Sequence, residues 1–196
     1  MSSKLNLRII QGSTFKQVLR WESSTKVYVP ITNITKSAPV LITAPSHGLA
    51  VGWRTKITNV SGMKEINDSD VYHTVSDVLD TDTIEINALN TLANSAYTSG
   101  GVLEYNQPVS LNGATARMQI RPKLKSDTII EQLTTEDGQI LIDDLEHTII
   151  IDLSDETTAG FDFNNAVYSL EIIQNGDVAQ LVTGNIILDK EVTRDG

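Results

Sequence analysis

Apolar and polar residues alternate with a period of two along most of the chain, the pattern of strands that bury one face. Leu5, Leu7 and Ile9 alternate with Asn6 and Arg8. After a Gly12-Ser13 break, Phe15, Gln17, Leu19 and Trp21 share one strand face, and Lys16, Val18 and Arg20 share the other. A third strand is predicted over 27–31, ending near Pro30. From about Ile34 the texture changes. Segment 34–107 is rich in Thr, Ser, Asn and Gly and predicts short strands at 40–43, 55–60, 71–78, 83–86 and 101–105. The breakers between them are Pro45-Ser46-His47-Gly48, Ser61-Gly62 and Ser99-Gly100-Gly101. Strands of this length and spacing predict a small barrel or sandwich.

The first kind of alternation resumes after Pro108. Ala114, Ala116, Met118 and Ile120 face one way, and Thr115, Arg117, Gln119 and Arg121 the other, before Pro122 stops the strand. Further strands are predicted at 129–130, 139–142 and 148–153. Ser154 followed by Asp155 and Glu156 predicts one capped helical turn, because the serine oxygen and the acids suit the exposed amides of a helix start. Tyr168, Leu170 and Ile172 alternate again, and Asn175-Gly176 is a strong hairpin turn since both residues tolerate positive φ. The chain returns over 178–182, and Gly184 separates this run from a last strand at 185–192.

Three strands before residue 34 are too few for a stable domain. The economical arrangement is that residues 1–33 and 108–196 share one discontinuous β-sandwich, with 34–107 inserted in a loop between its third and fourth strands, where insertions are tolerated if the loop ends stay close. The rival arrangement places two domains in series, with 1–107 folding alone. The fold class expected is all-β: a sandwich carrying a small inserted β-barrel.

Composition narrows the function. The chain has 196 residues, 15 basic and 25 acidic side chains, and a net charge of −10. Such a surface repels phosphate backbones and offers no basic face to an anionic membrane, so neither nucleic acid nor membrane is expected as a partner. Aromatics make up only 5%, so the core must be mainly Ile, Leu and Val. Cysteine is absent, which excludes disulfides, thiolate zinc sites and cysteine nucleophiles. Met1-Ser2-Ser3-Lys4 lacks the apolar stretch of a signal peptide, and runs such as Ile149-Ile150-Ile151 are too short to span a bilayer, so a soluble chain is expected.

Motifs for chemistry are sparse. His47, His73 and His147 show no metal-ligand spacing, and no Gly-x-Ser-x-Gly elbow nominates a serine. His47, in a Pro-Ser-His-Gly turn, reads as a residue that fixes a corner through an imidazole-to-backbone bond. Asp80-Thr81-Asp82-Thr83 and Asp143-Asp144 lack the calcium-loop pattern and read as solvated turns. Asp155 and Glu156 are explained by helix-end electrostatics, and Gly100-Gly101 is a turn rather than a phosphate loop. No catalytic, cofactor-binding or metal residue is expected, and the chain is read as a non-enzyme without a cofactor.

The middle segment carries a specific resemblance. Pro39-Val40-Leu41-Ile42-Thr43-Ala44-Pro45-Ser46-His47-Gly48-Leu49 is followed by Gly52 and by Ile57-Thr58-Asn59-Val60-Ser61-Gly62-Met63-Lys64-Glu65-Ile66-Asn67. Tyr72-His73-Thr74-Val75, Thr83-Ile84-Glu85-Ile86 and Ala96-Tyr97-Thr98-Ser99-Gly100-Gly101 come later. Over about seventy residues this resembles the small β-module of bacteriophage tail and other virion proteins, often described as similar to the first catalytic-cysteine half-domain of ubiquitin-activating enzymes. The likeness implies no ubiquitin chemistry in a chain without cysteine. The residues themselves read as scaffold: Met63, Ile66 and Val71 are expected to close a barrel end and Tyr97 to pack across it. The flanking parts resemble the immunoglobulin-like sandwich of phage baseplate-upper and tail-fibre-attachment proteins. The features are Gln11-Gly12-Ser13-Thr14-Phe15, Ala114 to Arg121, and the closing run from Tyr168 through Gly176 and Gly184 to Thr193. Together they imply a multimeric adaptor of the tail, baseplate or fibre-attachment region, made in the host cytoplasm and resident in the virion. Its expected partners are other virion proteins and copies of itself. The alternatives are a host-surface or carbohydrate-binding module, which would favour clustered exposed aromatics, and a head-tail connector or capsid decoration protein. A polysaccharide-cleaving enzyme would need paired carboxylates in a cleft.

Overall fold

Period-two alternation becomes strand almost wherever it occurs. The computed structural model describes residues 3–191, which form a predominantly β protein with several antiparallel sheets and one short α-helix. The strands run β1 (Ser3–Lys4), β2 (Leu7–Ile10), β3 (Phe15–Arg20), β4 (Glu22–Pro30), β5 (Asn33–Ile34), β6 (Val40–Thr43), β7 (Arg54–Ser61), β8 (Asp68–Thr74), β9 (Asp77–Val78), β10 (Thr83–Ile86) and β11 (Ser99–Pro108). They continue as β12 (Thr115–Arg121), β13 (Glu131–Thr134), β14 (Ile140–Asp143) and β15 (Thr148–Leu153). Helix α1 (Asp155–Ala159) then precedes β16 (Asn165–Gln174) and β17 (Asp177–Asp189).

The described residues divide into two compact units: those up to Trp21 with those from Ser110 on, and Glu22–Val109. The joints therefore lie at 21/22 and 109/110, not at 33/34 and 107/108. The third of the early strands assigned from sequence to the flanking domain is β4, and it belongs to the middle unit, where Val29 sits opposite Leu103 of β11. Alternation shows that a strand buries one face but not which sheet it joins.

In the first unit a six-stranded sheet has the order β1-β17-β16-β12-β13, with β2 also on β17. β1 and β2 run parallel to β17, and the other pairs are antiparallel. A three-stranded sheet has the order β14-β15-β3. Both sheets feed one core: Ile9, Met118, Leu133 and Leu170 come from the larger, Ile140, Ile149 and Ile151 from the smaller. The strand expected at 129–130 lies slightly later, at β13, and Ile130 leads into it by donating to the Ile120 carbonyl. The predicted hairpin forms, with Asn175 at φ 54° and Gly176 at φ 86°.

Gly184 does not break the last strand as expected. β17 runs through it, and a Cβ there would come within 1.8 Å of the Leu5 carbonyl oxygen. The glycine serves a close backbone approach. Leu5 donates to the Thr183 carbonyl, and the Tyr168 hydroxyl donates to the Leu5 carbonyl at 2.8 Å. Val192, the expected end of that strand, lies outside the described residues.

In the second unit the sheets are β5-β6-β10-β9 and β4-β11-β7-β8, and they share one core that includes Ile42, Trp53, Ile57, Ile84 and Leu103. The small closed barrel expected here does not form. The chain passes between sheets at two corners. At one, Ile31 donates to Gly101 and Thr32 to Thr43; at the other, Val75 donates to Trp53 and Ser76 to Glu85. Successive residues thus bond to different sheets, which interrupts the ladder at each corner and leaves two open sheets. Met63 and Ile66 are buried as expected, but Val71 is exposed and Val75 takes the inward position.

Candidate functional site

The residue most suggestive of chemistry in the sequence, His47, is a buried corner of the second unit. The left-handed turn around it uses Ser46 at φ 54° and Gly48 at φ 64°. His47 Nδ1 accepts from the Leu49 N–H at 3.0 Å, so the ring proton sits on Nε2, which faces the Asp80 carbonyl at 3.3 Å. The Tyr105 hydroxyl donates to the His47 carbonyl. Burial lowers the imidazole pKa, outweighing the nearby Asp80 and Asp82. Asp80 and Asp82 belong to the same corner: Asp82 Oδ1 accepts from the Ser46 N–H, and Asp80 Oδ1 from the Asp82 N–H, each at 2.8 Å. Residues 44–49 and 80–82 therefore lock two turns together.

The other residues weighed for chemistry do not gather around it. His73 lies on β8 opposite Thr55, half-buried, with Nε2 buried and unpartnered, and burial lowers its pKa. His147 is in the first unit, in the turn between β14 and β15, at φ 51°. Asp143 Oδ1 accepts from the Leu145 and Glu146 amides of that turn, and Asp144 Oδ1 from the Leu111 N–H at 2.6 Å. Ser154 caps α1 by accepting from the Thr157 N–H, as its place before two acids predicts. Among the described residues no group of three or more His, Asp or Glu could hold a metal ion.

Two surface features were missed in the sequence. On the outer face of the β4-β11-β7-β8 sheet, three cations surround the Tyr72 ring: Lys56 at 4.8 Å, Arg54 at 5.3 Å and Lys26 at 5.6 Å from its centroid. Lys26 also donates to the Tyr72 hydroxyl and pairs with Glu104, and Arg54 pairs with Glu22. These links run from strand to strand and satisfy one another, as in a braced sheet face.

The second feature is a concavity of about 390 Å³ on the outer face of the six-stranded sheet. Two cross-strand rows make its floor. One runs Lys4–Thr183–Ser169–Gln119, and the next runs Asn185–Val167–Arg121. Asn6 enters beside Asn185 and accepts from its N–H at 3.1 Å. Arg121 donates to the Ser126 carbonyl and to Gln119 Oε1, tying down the loop that carries Leu124 at 86% exposure. Alternation marks these positions as outward-facing, but their juxtaposition depends on the pairing of β1 with β17, strands from opposite ends of the chain.

No protein-family model matches this chain, and no curated protein matches it.

Proposed function

We propose that the protein is a structural adaptor of a tailed-phage particle, docking other virion proteins in the tail, baseplate or fibre-attachment region, in many copies and without turnover of its own. The observation that carries this reading is the arrangement of two separately cored β-units in one chain, the second entering and leaving the first through a single pair of joints. Such a chain offers two rigid bodies for two neighbours. The first unit is read as an immunoglobulin-like sandwich, because two sheets close over one core. The second is read as the virion β-module whose motifs it resembles, and its shared turns and buried His47 have scaffold work to do.

Strand edges support assembly. β2 pairs only with β17, so its other edge is open to strand addition among the described residues. The last strand offers no such edge: β17 has β16 on one side and β1 and β2 on the other. On the three-stranded sheet, Val18, Ile150 and Leu141 form an apolar outer row, with Val18 and Leu141 exposed.

The test is to purify particles made with an affinity-tagged chain, count its copies by quantitative mass spectrometry and locate it by electron microscopy. Expected is a fixed stoichiometry matching the symmetry of a tail or baseplate ring. Absence from intact particles, or a single copy with the unpaired edge of β2 facing solvent, overturns the reading.

A further inference from the structure

We infer that the concavity on the six-stranded sheet is a binding site for an acidic saccharide, one carrying carboxylate or sulfate groups. The site is independent of the adaptor reading, since it lies wholly on the first unit.

Charge is the first argument. The chain bears 25 carboxylates and a net charge of −10, yet the lining of this concavity contains Lys4 and Arg121 and no Asp or Glu. Acids have been kept out of one place on an otherwise acidic protein, and that place complements an anion. The cations stand at opposite ends. Lys4 is on β1 and Arg121 on β12, three strand spacings apart, which is about 14 Å of sheet. Across that span an extended molecule with repeated acidic groups can engage both cations at once.

What lies between the cations is the second argument. Thr183 and Asn185 have no side-chain hydrogen-bond partner among the described residues, and Asn6 keeps its amide N–H₂ free while its oxygen holds the Asn185 backbone. Uncommitted hydroxyls and amides offer both donors and acceptors, as a polyhydroxylated ligand requires. Val167 in the floor and Leu124 at the rim supply apolar surface for the C–H faces of sugar rings. Exposed aromatics, the usual platform for sugars, are not used here; charge and amides take their place. The floor is also preorganised, because it is built on paired strands rather than on free loops.

The experiment titrates the full chain by calorimetry with an oligogalacturonate, its methyl ester, a sulfated oligosaccharide, a neutral maltooligosaccharide and poly-glutamate. The expected result is binding of the galacturonate or the sulfated sugar, with ester and neutral sugar weaker by about tenfold or more. Lys4→Glu should weaken it by about tenfold and Asn185→Ala by about threefold, while Lys64→Glu, on the other unit, leaves it unchanged. Lys4 and Asn185 are exposed, and melting curves check that both variants fold. No binding of either acidic sugar at millimolar concentration overturns the inference. So does equal binding of poly-glutamate or of the neutral sugar, or indifference to Lys4→Glu.

Discussion

His47 shows how a motif that looks catalytic can be spent on architecture. Its ring accepts a backbone N–H through Nδ1, so protonation must break that bond. His47→Asn keeps an acceptor for the Leu49 amide and loses the Asp80 contact, at an expected cost of about 1 kcal/mol. His47→Leu strands that buried amide and should cost about 1–3 kcal/mol more, read from urea midpoints of the two variants. The same bond predicts a pH dependence. Burial lowers the folded-state pKa of His47, and of His73, below the ordinary 6.5. The unfolded chain therefore takes up protons first, and stability is complete above about pH 6.5. It declines as pH falls from there through the lower folded values. Urea midpoints at pH 7.5 and 5.5 should show the loss, and His47→Asn should make it shallower; a gain on acidification would contradict the assignment. The turn role of His47 was legible, since proline before it and glycine after it mark a corner. Its second partner was not: Asp80 is 33 residues away, and only folding brings the two turns together.

At the scale of strands, the apolar period located nearly all the elements and left their partners open. Strands 40–43 and 83–86 fall where the alternation puts them, and they pair with each other, Ile42 opposite Ile84. β4 went to the wrong unit because a half-buried strand reads the same in either. Val71 was given a core position that Val75 holds, because β8 bulges where it pairs with β7: Asp68 lies opposite Ile57 and His73 opposite Thr55, so the alternation is interrupted around Val71. Gly184 looked like a break, since glycine usually interrupts a strand and the sequence does not reveal that another backbone crosses there. That crossing makes a sharp prediction. Gly184→Ala pushes a Cβ into the Leu5 carbonyl, so β1 and the segment after it must move off β17, at a cost of about 3 kcal/mol. Gly138→Ala meets nothing within 4 Å and carries only the strain of φ 74°, about 1 kcal/mol. Thermal denaturation should separate the two, and hydrogen exchange should show the amides of β2 opening only in the first.

At the scale of the molecule, an insertion was inferred from the change in texture, but the joints came out displaced by twelve residues at one end and two at the other, because β4 crosses the compositional boundary. The corrected joints suggest a cleaner dissection. Pro108 pairs with Glu22, so the two ends of the middle unit stand side by side as cross-strand neighbours, about 5 Å apart. Replacing 22–109 by a three- or four-residue Gly-Ser linker should leave a cooperatively unfolding first unit, and 22–109 expressed alone should unfold cooperatively as well; a broad, non-cooperative transition in either would refute their autonomy. That Glu22–Pro108 neck also bears on how the chain is made. On the ribosome, β2 and β3 emerge early, but β2 must wait for β17 and β3 for β15. Until then Leu7, Ile9 and Leu19 have no sheet to join. The middle unit can finish folding during that wait, and by clasping its own ends it removes roughly half the intervening chain from the loop that β2 and β17 must close. The entropy saved is small, on the order of 0.6 kcal/mol for a halved loop. The larger effect is on timing: synthesis passes through a stage with one finished unit and a sticky N-terminal hairpin's worth of strand, and that interval is when the chain is most exposed to aggregation or to capture by a neighbouring copy.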